Sequence, residues 1–205
     1  MSDSDSVSET EKPKRRKHAS RNNIMKELNK YSFHIKVKEK VSELAKKLKL
    51  EQRKGKLKKR LYYFYIIAAY AELGWVCDPK RIQEELKLSQ KDVNSSEAEY
   101  SEVQINYVPP ELPDTPETFM INYLEELGIG YDYYENILKF YEDLRTRDVE
   151  FTDKYFPQDI CLSLIIKFLN DNGYQFKLKD TCNTFSRKET KIKEVIKYIE
   201  RIENL

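Results

Sequence analysis

Apolar residues recur every three or four positions from Asn23 onward. Ile24, Leu28 and Tyr31 form one run, and Ile35, Val41, Leu44, Ala45 and Leu48 form the next. That period belongs to amphipathic helices, here two of them with a break near Ser32–His34. Leu61–Leu73 (LYYFYIIAAYAEL), after a punctuating Gly55, is apolar almost all round yet too short to cross a bilayer. It predicts a helix enclosed by protein, the centre of a bundle. Gly74 ends it. Asp78 and Pro79 supply an N-cap and a first-turn residue for a short helix over Lys80–Leu86, and Ser89 with Asp92 opens another.

The segment 94–116 is polar, carries Pro109, Pro110, Pro113 and Pro116, and cannot hold a long helix. A second helical set follows: Thr118–Leu127, a break at Gly128–Gly130, Tyr131–Arg147, then Pro157–Asp171 with its own apolar centre (ICLSLIIKFL). Gly173 ends that helix, a short one spans Lys177–Asn183, and Ser186 with Glu189 reads as a capping box for Arg187–Glu203. Apolar central helix, glycine, short helix, serine cap and final helix thus occur twice in one order. Gly74 and Gly173 are 99 residues apart and Ser89 and Ser186 are 97 apart. The expectation is an all-α chain built from two copies of one five-helix unit, residues 23–100 and 117–205, joined by a proline-containing connector over 101–116.

Residues 1–22 contain one Val and no large apolar side chain, so they are expected to form a disordered charged tail. Within it Lys12–Lys17 (KPKRRK) fits an import address or a nucleic-acid tether, and Ser2, Ser4 and Ser6 sit in acidic surroundings that suit phosphorylation. No run of about 18 apolar residues exists, which argues against a bilayer span, and no signal-peptide core follows Met1. Cys77, Cys161 and Cys182 never form a CxxC pair, which excludes a zinc ribbon, and reduced thiols are expected.

A net charge of +2 hides a partition. Residues 12–60 hold 20 Lys and Arg against 4 Asp and Glu, whereas residues 97–153 hold 15 acids and 3 bases. The first block can hold phosphates; the second should avoid DNA. Polarity reverses again over 177–201, with 8 bases and 4 acids.

The repeated unit, with its buried third helix, resembles the cyclin box, and within that superfamily the core of general transcription factor IIB. In the first copy the resemblance rests on Ala68–Gly74 (AAYAELG), Pro79–Leu86 (PKRIQEEL) and Ser89–Val93 (SQKDV). In the second it rests on Leu124–Ile129 (LEELGI), Pro157–Leu169 (PQDICLSLIIKFL) and Ser186–Ile192 (SRKETKI), where Thr190 and Ile192 match the family's Thr-Ile pair. The resemblance implies a transcription initiation factor that binds promoter DNA and a TATA-binding-protein-like partner, with RNA polymerase subunits as further partners. It places the protein in the nucleus, or in a cytoplasmic factory or virion if the source is a large DNA virus. The family's polymerase-engaging zinc ribbon has no counterpart, since no cysteine precedes Cys77.

No catalytic constellation stands out. His18 and His34 lie away from any Cys or Asp cluster, no Walker or GxGxxG run exists, and neighbouring carboxylates such as Glu84 and Glu85 point different ways on a helix. A binding protein without cofactor, metal or small-molecule substrate is expected. The best candidate is the helix-turn-helix over 177–203. Arg187, Lys188, Thr190, Lys191 and Lys193 fill the first turns of a recognition helix capped by Ser186. Arg187 or Lys188 is expected to donate to guanine, with Lys177, Lys191 and Lys193 on the backbone. The second candidate is the run Arg53, Lys54, Lys56, Lys58, Lys59 and Arg60, which by the resemblance would meet DNA backbone and an acidic partner. Tyr62, Tyr63, Phe64 and Tyr65 are assigned to the core rather than to base stacking, and Trp75 to a hydrophobic plug. The rival is a cyclin-type regulatory subunit of a protein kinase, though the Arg-x-x-apolar-x-x-Trp opening of cyclin boxes is missing. A protein-contact subunit of a larger transcription complex is a third reading.

Overall fold

A computed structural model describes residues 21–204, which leaves the expectations for the N-terminal tail, including Lys12–Lys17 and the three serines, outside the described residues. The described residues are all-helical, with no strand among them. The first half comprises α1 (Arg21–Leu28), α2 (Ile35–Leu48), α3 (Gly55–Glu72), α4 (Pro79–Glu85) and α5 (Gln90–Glu99). A one-turn helix, α6 (Glu102–Ile105), and an irregular stretch lead to the second half. There α7 (Pro116–Glu126), a 3-10 turn (Tyr131–Tyr133), α8 (Tyr134–Arg147), the one-turn α9 (Phe151–Lys154), α10 (Pro157–Asp171), α11 (Leu178–Thr184) and α12 (Glu189–Glu203) follow.

Apolar side chains decide the centres. Tyr62, Tyr63, Tyr65, Ile66, Ala68, Ala69 and Tyr70 of α3 are buried, and α10 buries every residue from Asp159 to Ile166. Such all-round burial is what a helix without a polar face requires. Helices α2, α4 and α5 pack on α3, while α7, α8 and α12 pack on α10. Phe64 is half-buried and stacks on Tyr100 with ring centroids 5.3 Å apart. Trp75 is buried edge-on to His34 and Tyr134, a hydrophobic plug.

Helix ends follow the predicted caps in the first half. Asp78 accepts from the backbone N–H groups of Lys80 and Arg81, and Ser89 and Asp92 form a reciprocal capping box. Helix α3 starts six residues earlier than its apolar run, at Gly55, where Lys56, Lys58 and Lys59 of its first turns find partners in Asp92, Glu27 and the Leu86 carbonyl. Asn94 lies inside α5, which continues to Glu99 before the prolines take over.

One predicted cap is corrected. Ser186 does not cap α12: it sits in the left-handed region at φ 53°, Lys188 occupies the N-cap position without a side-chain cap bond, and the helix begins at Glu189. Lys87 has the same φ of 53° in the turn between α4 and α5. The turns match bond for bond: Leu88 N–H donates to Gln83 at 3.0 Å, and Arg187 N–H to Cys182 at 2.8 Å. The register that superposes them is the 99-residue separation of Lys36 and Glu135, not the 97 of the two serines. The same separation relates the starts and ends of α2 and α8, the ends of α3 and α10, and the starts of α5 and α12.

A polar node joins the halves. Glu125 of α7 is buried and accepts hydrogen bonds from Tyr70 (2.8 Å) and Tyr131 while pairing with Arg81 of α4. Arg81 and Tyr131 also donate to the Ser32 carbonyl, at 3.3 and 3.0 Å. The Val76 N–H donates to the Thr118 carbonyl at 2.8 Å, and Lys36 pairs with Glu135.

Candidate nucleic-acid interface

Helix α12 is amphipathic in the strict sense. Ile192, Val195, Ile199 and Ile202 are buried against the second half, with Ile196 partly buried beside them, whereas Thr190, Lys191, Lys193 and Lys197 are exposed. The α11–α12 turn holds α12 at a fixed angle through the Arg187 backbone bond, and Ser163 of α10 donates to the Ile192 carbonyl at 3.5 Å. Lys188, at the N-cap, is exposed and makes no ion pair among the described residues.

The other predicted base and phosphate contacts are distributed unevenly. Arg187 lies before α12 rather than in its first turn, and its Nε donates to Asp159 Oδ1 at 2.6 Å. Asp159 is almost completely buried at the start of α10, so this guanidinium is engaged as a counter-ion and is not presented to guanine. The carboxylate in turn raises the Arg187 pKa. Lys191 pairs with Glu194 at 2.8 Å and Lys193 with Glu189 at 2.6 Å, both along α12. Those pairs are exposed, and exposed pairs hold by about 0–1 kcal/mol, so a phosphate can displace the carboxylates. Lys177 is the exposed N-cap residue of α11, and Lys179 and Lys197 add exposed cations that the motif alone did not single out.

The first-half basic run is brought together at the N-terminal end of α3, but mostly as structure. Lys56 (2.8 Å) and Arg60 (2.8 Å) both pair with buried Asp92 of α5, and Arg60 also reaches Glu99 at 3.1 Å. Lys56, the Ser89 hydroxyl and Arg60 together hold the Asp92 carboxyl well below the usual carboxylate range. Lys58 pairs with Glu27 at 2.7 Å, which lowers the pKa of that acid, and Lys59 donates to the Leu86 carbonyl at 2.9 Å. Arg53 pairs with Glu51 at 3.3 Å, and Lys54 is the exposed N-cap residue of α3. The ion pairs of Asp92 and Asp159, which organise the two basic regions, escaped sequence reasoning, although Asp92 was read as part of a cap. The available signal was that Arg60 and Asp159 stand in the 99-residue register with opposite charges.

Among the described residues no group of three His, Cys, Asp or Glu side chains is placed to hold a metal ion, and no helix is long and apolar enough to cross a membrane. Cys77 is partly exposed, whereas Cys161 and Cys182 are buried, and all three are free thiols. Burial pushes the Cys77 thiol up to about 12, which disfavours the nucleophilic thiolate at neutral pH. The chain matches no protein-family model and no curated protein.

Proposed function

We propose that this chain is a transcription initiation factor organised like the core of general transcription factor IIB, with cyclin-like repeats over 23–100 and 117–205 and a connector over 101–116. In this reading it binds promoter DNA through α11 and α12 and a TATA-binding-protein-like partner through the first repeat. The observation that carries it is the repeated turn: positive φ at Lys87 and Ser186, followed in each half by a helix that starts two residues beyond Leu88 and Arg187. The second such helix turns a row of exposed lysines outward, as a helix that enters a groove must.

Within that interface Lys188, Lys191, Lys193 and Thr190 meet DNA, Lys177 holds the backbone from α11, and Arg187 positions α12 through Asp159. Lys54 is exposed at the N-cap of α3, and the exposed pair of Arg53 with Glu51 is displaceable, so these two cations lead the contact with an acidic partner. Helix α5 is 10 residues long against 15 for α12, so DNA recognition falls to the second half.

A titration of the full chain with duplex DNA tests the reading. The double variant Lys188→Glu, Lys191→Glu is expected to weaken binding and to flatten the dependence on log salt, by about 0.9 for each phosphate no longer neutralised. Unchanged affinity and slope would remove the recognition-helix assignment. Recovery of a protein kinase rather than a TATA-binding-protein-like factor in a pull-down would favour the cyclin-type alternative.

A further inference from the structure

Phe156 is 71% exposed, although it stands at the start of the most completely buried helix of the second half. Its backbone is fixed: Pro157 follows, the residue adopts an extended conformation, and its carbonyl accepts the N–H groups of Asp159 (2.9 Å) and Ile160 (3.0 Å). The ring therefore projects from a rigid platform. Asp159, one turn on, carries Arg187 and so ties this platform to the start of α12. Tyr155, the preceding residue, packs its ring edge-on to Tyr198 of α12 with centroids 5.7 Å apart. Phe156 thus lies between two residues tied to the α12 region, and Asp159 and Glu194 there already have cationic partners.

The first half has a looser parallel, in which the side chain stands inside the helix rather than before it. Leu57, in the 99-residue register with Phe156, is 41% exposed in the first turn of α3, between Lys56 and Lys58. An exposed ring on a fixed backbone, next to a segment packed on the helix that carries Lys188, Lys191 and Lys193, points to a ligand with apolar surface and negative charge. Duplex DNA combines these, as base faces and thymine methyl groups lie inside a phosphate envelope.

We infer that Phe156 is a base-contacting residue of the DNA interface, packing its ring on a base face or thymine methyl while the α12 lysines hold the flanking phosphates. This rests on the DNA-binding reading of α12 and adds an apolar, salt-independent element to it. Loss of such a contact is read as a fall in affinity of about tenfold, well within measurement.

The probe is a fluorescein-labelled duplex enriched from a random-sequence pool on the wild-type full chain, read by anisotropy at several salt concentrations. Phe156→Ala is expected to weaken binding about tenfold or more with an unchanged salt slope and an unchanged thermal melt, and Phe156→Leu to recover part of the affinity. Wild-type affinity in Phe156→Ala, alongside weakened binding by Lys188→Glu, Lys191→Glu, overturns the Phe156 assignment and leaves the recognition helix standing. If the charge-reversal variant also binds as wild type, the underlying DNA reading falls and takes this inference with it. Disappearance of a pulled-down protein partner in Phe156→Ala with intact DNA affinity would assign the ring to a protein contact and equally overturn the proposal.

Discussion

Arg60 and Asp159 stand 99 residues apart on the two central helices and carry opposite charges, yet each anchors an ion pair, Arg60 to the first turn of α5 and Asp159 to the turn before α12. Arg60 reaches Asp92 at 2.8 Å, and Asp159 reaches Arg187 at 2.6 Å. The polarity of the pair is reversed, and its partner comes from within the helix in one half and from the preceding turn in the other. A charge at this position therefore serves to tether α5 to α3 and the α11–α12 turn to α10.

The two tethers should differ in sensitivity. Both carboxylates are buried, but Asp92 keeps Lys56 and Ser89 when Arg60 is removed, whereas Asp159 has one cationic partner. Arg187→Met is expected to destabilise the fold by on the order of 3 kcal/mol, the low end for a broken buried pair, and Arg60→Met by distinctly less. Urea denaturation of both variants checks the order, and Asp159→Leu combined with Arg187→Met should recover much of the stability.

Ser186→Gly separates a cap from a left-handed turn. A serine cap removed costs about 0.5–2 kcal/mol, although glycine is the gentlest replacement. A serine held at positive φ gains instead from glycine, by roughly 0.5–1 kcal/mol. With φ at 53°, Ser186→Gly is expected to raise the denaturation midpoint. Ser89→Gly, in the true capping box, should lower it.

Those two serines also mark where the sequence was readable. Caps at Asp78 and Ser89, the breaks around Ser32 and Gly128, and both enclosed central helices are local features, set by side chains within a few residues of one another. At Ser186 the motif Ser-x-x-Glu was present, but the turn geometry shared with Lys87 set the helix start two residues later than that motif implied. The basic run 53–60 misled in another way. Its charge was plain, but its partners Glu27, Asp92 and Glu99 come from distant segments, and only the fold brings them within 3.1 Å. One-turn helices α6 and α9 carry no periodic signal long enough to detect.

His34 provides a pH signature. Its Nδ1 accepts the Lys36 N–H at 3.2 Å, and burial lowers its pKa, with Lys36 and Lys38 lowering it further and Glu135 and Glu39 opposing. A histidine with a depressed folded pKa binds protons more readily when unfolded, so stability is full above the unfolded value of about 6.5 and declines as pH falls below it. Trp75 lies edge-on to the imidazole at 5.3 Å, so its fluorescence should report unfolding at the junction. Denaturation at pH 8 and pH 5 should show a drop in stability for the wild type that His34→Gln reduces.

Lower pH adds a second slope. The depressed carboxyls of Asp92 and Glu27 contribute stability that is present above their ordinary range near 4 and disappears as pH falls through their folded values. Asp92→Asn should flatten acid denaturation below about pH 4 relative to the wild type, measured by circular dichroism.

Glu125 sets how the two halves behave under load. One carboxylate serves donors from α3, α4 and the turn before α8, so a hinge between the halves could open only by stripping a buried anion of its partners. Callipers welded at the pivot grip objects of a single width. A chain joined in this way would meet any target with the spacing between its halves already set.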